Sequence, residues 1–84
     1  MTISQMGPAA GSVRELDTRG LKCPMPIVRT AQAMKELAAG ELLEVVATDP
    51  GAVADFAAWS RSTGHQLLSS LSAGGEFRFL LRHK

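Results

Sequence analysis

Cysteine occurs once in this chain, as Cys23 within Gly20-Leu21-Lys22-Cys23-Pro24-Met25-Pro26. A thiol reacts as its thiolate, and helix N-termini and neighbouring cations favour that anion. Pro24 and Pro26 stand where the first turn of a helix tolerates proline, which puts Cys23 at or beside an N-cap. Lys22 is adjacent and Arg19 is close, so both are read as thiolate-stabilising, and the thiol is expected to be acidic. The prolines have no N–H, so the donors left near the cap are chiefly the amides of Cys23 and Met25, both placed to face a sulfur anion. Gly20 marks the turn before them. A dithiol pair would need a second cysteine three residues on, where Pro26 stands. Cys23 must therefore react with sulfur on another molecule, either a small compound or a protein. A single cysteine is often just a small buried hydrophobe, but the helix start, the prolines and the cations favour the reactive reading here.

Other polar residues offer weaker chemistry. His65 and His83 do not combine with Cys23 at any usual zinc spacing, so no metal is expected. His65 follows Gly64 at a strand start and is read as a surface residue; His83 is read as solvated. Asp49 before Pro50 reads as a helix cap, and Asp17 as a residue that holds the loop before Cys23 through Arg19 or backbone amides. Phe56 and Trp59 read as core packing. Arg78, Arg82 and Lys84 raise a nucleic-acid reading, but the net charge is only +1 and no aromatic residues interleave with a basic face. Direct nucleic-acid binding is not expected.

The elements that must carry Cys23 fit in one domain of 84 residues, 45% of them hydrophobic, which favours a folded chain over a disordered one. Residues 1–12 are rich in Gly, Ala, Ser and Pro and read as a flexible tail; residues 13–84 form the domain. No apolar run approaches the roughly 20 residues that cross a bilayer, and the first residues lack the basic start and apolar run of a secretory signal. With a single thiol and no signal, the cytoplasm is the expected compartment and no membrane partner is expected.

Val13–Asp17 reads as an edge strand. Ile27, Val28, Ala31, Met34, Leu37 and Ala38 recur at helical spacing, with Gly40 as the stop. Glu41–Thr48 is an apolar strand suited to the interior of a sheet. Asp49 and Pro50 open a second helix, closed by Gly64. His65–Leu71 reads as a strand with Leu67, Ser69 and Leu71 on one face. Ser72-Ala73-Gly74-Gly75 reads as a hairpin loop. In Glu76–Arg82, Phe77, Phe79 and Leu81 alternate with Arg78, Leu80 and Arg82. The order βαβαββ predicts an α+β, two-layer sandwich: a four-stranded mixed sheet with two helices packed on one face.

Leu16-Asp17-Thr18-Arg19-Gly20-Leu21-Lys22-Cys23-Pro24-Met25-Pro26 closely resembles the signature of the TusA/SirA-like sulfur carrier family. Asp49-Pro50-Gly51-Ala52, Trp59–His65 and Phe77–Arg82 are similar too, so the resemblance spans roughly residues 13 to 82. It implies the same βαβαββ sandwich and a persulfide carried on Cys23, with Gly20, Pro24 and Pro26 shaping its helix start. It also implies two protein partners, a sulfur donor (a cysteine desulfurase or a rhodanese-like protein) and a sulfur acceptor, with no cofactor. Pathways open to such a carrier are tRNA thiolation, cofactor synthesis and sulfur oxidation. Met25 fills the variable position between the prolines, where some relatives carry an acid, and Ser60 stands where some carry a second cysteine. The alternative is a regulatory or nucleic-acid-binding module in which Cys23 is incidental.

Overall fold

A computed structural model describes residues 13–84; the tail expected over residues 1–12 lies outside the described residues. The elements are β1 (Val13–Thr18), α1 (Met25–Met34), β2 (Leu42–Ala47), α2 (Ala52–Thr63), β3 (Gln66–Ala73) and β4 (Glu76–Arg82). The strands form one sheet in the order β1-β2-β4-β3. β1 runs parallel to β2, while β4 is antiparallel to both β2 and β3. The expected mixed sheet is thus observed, with the apolar strand inside it.

A parallel neighbour requires a crossover, and α1 supplies it between β1 and β2. Both helices share one apolar cluster with the sheet. Leu43, Val45 and Ala47 of β2 and Phe79 and Leu81 of β4 meet Ala33 and Met34 of α1 and Ala52 and Phe56 of α2. The Phe56 and Phe79 rings stack with centroids 4.3 Å apart, and Trp59 meets Phe56 edge-on at 6.4 Å. The alternation in β4 holds: Phe79 and Leu81 are fully buried, and Arg78 and Arg82 are exposed.

Several elements depart from expectation. The stripe of α1 that faces inward is Pro26, Thr30, Ala33 and Met34, not one through Val28, which is exposed. Thr30 is buried because its hydroxyl donates to the Pro26 carbonyl at 2.8 Å, so it adds no unpaired polar group to the core. The helix ends at Met34, short of Gly40, and the chain continues in turns of the i to i+3 type through Leu37. α2 begins at Ala52 with Gly51 at its N-cap, so Pro50 lies outside the helix. In β3 an irregularity between Leu67 and Ser69 breaks the alternation. Leu67 pairs with Leu81 on the helix side, while Ser69 and Leu71 pair with Leu80 and Arg78 on the open side. The hairpin turn is the two residues Gly74 and Gly75, both at positive φ (58° and 83°), as a tight turn between twisted strands requires.

Candidate functional site

Cys23 lies between the end of β1 and the start of α1. The approach to it is fixed by hydrogen bonds at the strand end. The buried hydroxyl of Thr18 donates to the Val46 carbonyl at 2.7 Å, the Gly20 amide donates to Thr48 Oγ1 at 2.9 Å, and the Leu21 amide donates to the Thr18 carbonyl at 3.2 Å. Gly20 takes φ 81° with open space around it. The left-handed conformation, not crowding, is what favours glycine there.

Pro24 is the N-cap of α1 and Pro26 lies within its first two positions; the Cys23–Pro24 peptide bond is cis. Cys23 therefore sits one residue before the cap, with its side chain exposed. The two amides expected to face the sulfur are engaged elsewhere. The Cys23 N–H donates to Asp49 Oδ2 at 2.9 Å, and the Met25 N–H donates to the Lys22 carbonyl at 2.8 Å. Asp49 is thus less a helix cap than a tie between the loop before α2 and the loop before α1; its contact to the Gly51 amide is long, at 3.5 Å.

The thiol itself donates to Asp55 Oδ2. Asp55 belongs to the first turn of α2 and is half-buried. The hydrogen bond to the Asp55 carboxylate raises the thiol pKa, with smaller upward contributions from burial and from the charges of Asp55 and Asp49. The expected acidic thiol is thereby corrected: the nearest charged groups are anions, which oppose a thiolate. Arg19 does not offset them. Its guanidinium forks onto Asp17, Nε to Oδ1 and Nη2 to Oδ2 at 3.0 Å each, and reaches Glu76 at 3.3 Å. Asp17 also accepts the Arg19 amide at 2.9 Å, so it holds the loop as the sequence suggested. Lys22 is exposed and forms no ion pair among the described residues.

The structure thus gathers Cys23, Pro24, Met25, Pro26, Lys22, Asp49 and Asp55 at the N-terminal ends of the two helices. Gly20 shapes the approach, and Arg19 belongs to a neighbouring carboxylate cluster. Asp55 escaped the sequence reading because an acid in a helix's first turn is already explained by the helix dipole. Only the packing of the two helix starts against each other aims it at sulfur. His65, expected at the surface, is buried and stacks on Trp59 with ring centroids 5.3 Å apart. Among the described residues no three acidic, histidine or cysteine side chains cluster as metal ligands, and no helix is long and apolar enough to cross a membrane.

Fold and site together define a small α+β sandwich that presents one exposed thiol at a helix start. The family model for sulfurtransferase TusA matches residues 14–83, and the chain belongs to that family. It is 45% identical over 69 residues to the sulfur carrier protein TusA of Allochromatium vinosum, covering 82% of this chain and 91% of that one. It is 54% identical over 67 residues to YrkF of Bacillus subtilis, where the match covers 80% of this chain but 36% of the relative. The chain thus spans about a third of that longer protein. The crystal structure of a SirA-like protein from Desulfitobacterium hafniense shares the fold, with a TM-score of 0.73 at 22% identity, covering 84% of this chain and 96% of that one.

Proposed function

We propose that the protein is a sulfur carrier in which Cys23 takes a sulfane sulfur from a donor persulfide and passes it to an acceptor protein. The observation that carries this reading is the family match across residues 14–83 to a chain whose single thiol is exposed. In the first transfer, Cys23 Sγ bonds to the terminal sulfur of the donor persulfide. The donor's S–S bond breaks and its cysteine leaves as a thiolate. Thiol plus persulfide becomes persulfide plus thiol, with no net oxidation. The second transfer repeats the exchange with Cys23 as donor. The donor is a cysteine desulfurase or a rhodanese-like protein, and the acceptor sets the pathway: tRNA thiolation, cofactor synthesis or sulfur oxidation. The cytoplasm suits this chemistry, since reducing conditions keep a lone thiol free.

Transfer between proteins needs a surface that docks briefly. The first turns of the helices supply apolar side chains for it, with Met25, Val28 and Val53 all exposed. Intact-protein mass after incubation with a cysteine desulfurase and free cysteine tests the reading. The chain should gain one or more sulfur atoms on Cys23, removable by a reducing thiol, and Cys23→Ser should gain none while keeping its melting temperature. The substituted side chain is exposed, so the fold should tolerate it. Retention of full biological activity by Cys23→Ser would leave the cysteine incidental and favour a binding module instead.

A further inference from the structure

Sulfur transfer onto a protonated thiol requires somewhere for the proton to go. The Asp55 hydrogen bond raises the Cys23 thiol above its ordinary value, with burial and the charges of Asp55 and Asp49 adding to the shift, and four charged groups lie near it in the chain or the fold. Asp55 reaches it from α2. Asp49 faces its loop from the segment before α2. Lys22 precedes it in the chain, and Arg19 is committed to Asp17 and Glu76. A site shaped only to make a standing thiolate would have its nearest side chain cationic. Here the nearest is a carboxylate in direct hydrogen-bond contact with the reacting atom.

We propose that Asp55 is the catalytic base of sulfur acquisition: it accepts a hydrogen bond from the Cys23 thiol at rest, takes that proton as the donor persulfide is attacked, and delivers it to the departing donor thiolate. This rests on the carrier reading above. The Sγ–H bond breaks toward Asp55 Oδ2 as the Sγ–S bond forms. The donor's S–S bond then releases its electron pair to the donor cysteine, and Asp55 returns the proton there. The hydrogen on the terminal sulfur moves with it, so atoms and electrons balance. Between encounters the same contact keeps the sulfur protonated and slow toward stray electrophiles. Reactivity is then tied to the arrival of a persulfide rather than to a free thiolate.

Asp55→Asn separates base catalysis from simple acidity. Two rates are read across a pH series: alkylation by iodoacetamide, which follows the thiolate, and sulfur gain from glutathione persulfide by mass. Dividing the wild-type transfer rate by the variant's cancels the titration of the donor itself. In the variant, the alkylation profile should move to lower pH, making alkylation faster at neutrality. Sulfur gain should nevertheless slow, with the rate ratio at about tenfold or more near pH 6 and approaching one in alkaline solution. Asp55→Ser should behave alike, and a melting curve for each variant checks the fold. A rate ratio at or below one at every pH would overturn the base assignment, as would an alkylation profile that does not move. If wild-type Cys23 gained no sulfur from the persulfide, the carrier reading itself would fall, a result distinct from either of those.

Discussion

Arg19 stands close to Cys23 in the chain, yet its charge is spent elsewhere: the guanidinium forks onto Asp17 and extends to Glu76. The side-chain and backbone hydrogen bonds from Arg19 hold the Asp17 carboxyl at about 2, below its ordinary 3.8. A carboxyl depressed in the folded state lends stability that is full above its unfolded value and lost as pH falls through the folded one. Asp17→Asn should therefore flatten the acid sensitivity of the urea midpoint between 3.8 and about 2. Arg19→Gln should leave the alkylation rate of Cys23 unchanged at neutral pH, because that charge is already balanced by its partners. A slower alkylation in Arg19→Gln would restore Arg19 as a thiolate-stabilising residue. Residue types thus singled out the proposed nucleophile but not its electrostatics. Cys23, Pro24 and Pro26 announce a helix start by local rules, whereas the sign of the field depends on Asp49 and Asp55, more than two dozen residues away in sequence and adjacent only after folding.

The elements were legible wherever local chemistry decides them. Alternation placed Phe79 and Leu81 inward and Arg78 and Arg82 outward, and the paired glycines marked the hairpin. The departures have separate causes. Thr30 bonds to the Pro26 carbonyl in its own helix, which lets a polar side chain enter the core, and the buried stripe of α1 runs through it rather than through Val28. In β3 the shift at Leu67 and Ser69 is invisible to a period-two reading, because it arises from pairing with β4. The turn carries its own prediction. Gly75 holds φ 83° with open space where a Cβ would stand, so the cost of replacing it is conformational rather than steric. Gly75→Val should destabilise the fold by about 1–2 kcal/mol, since the left-handed region costs a residue with a Cβ that much. Gly75→Asn should cost less, because asparagine visits that region more readily. Equal urea midpoints for glycine and valine would mean the hairpin can adopt another turn.

At the scale of the molecule, the last residues of the chain tie separate elements together away from the thiol. The Gly40 amide donates to the His83 carbonyl, and the His83 amide donates to the Glu41 carbonyl, each at 2.9 Å. Lys84 Nζ donates to the Thr63 carbonyl at 2.7 Å, and the Lys84 amide donates to His65 Nδ1 at 3.2 Å. His65 is buried between Trp59 and His83, and its pKa is lowered first by burial and then by the charges of His83 and Lys84. Neutral imidazole is what this arrangement needs: Nδ1 must accept, and a proton there would remove the acceptor and set a second cation beside Lys84. A histidine depressed in the fold contributes stability that is complete above its unfolded value and lost as pH falls through the folded one. The melting temperature should accordingly fall as pH drops below 6.5, and the Gly40 and His83 amides should exchange faster with solvent over the same range. His65→Phe keeps a ring against Trp59 but cannot titrate, so its melting temperature should depend less on pH in that window. Parallel slopes for the two proteins below 6.5 would show that protonation of some other group loosens the fold. A shallower slope without a change in Gly40 exchange would place the effect in the Trp59 stack rather than in the hold on the chain's last residues.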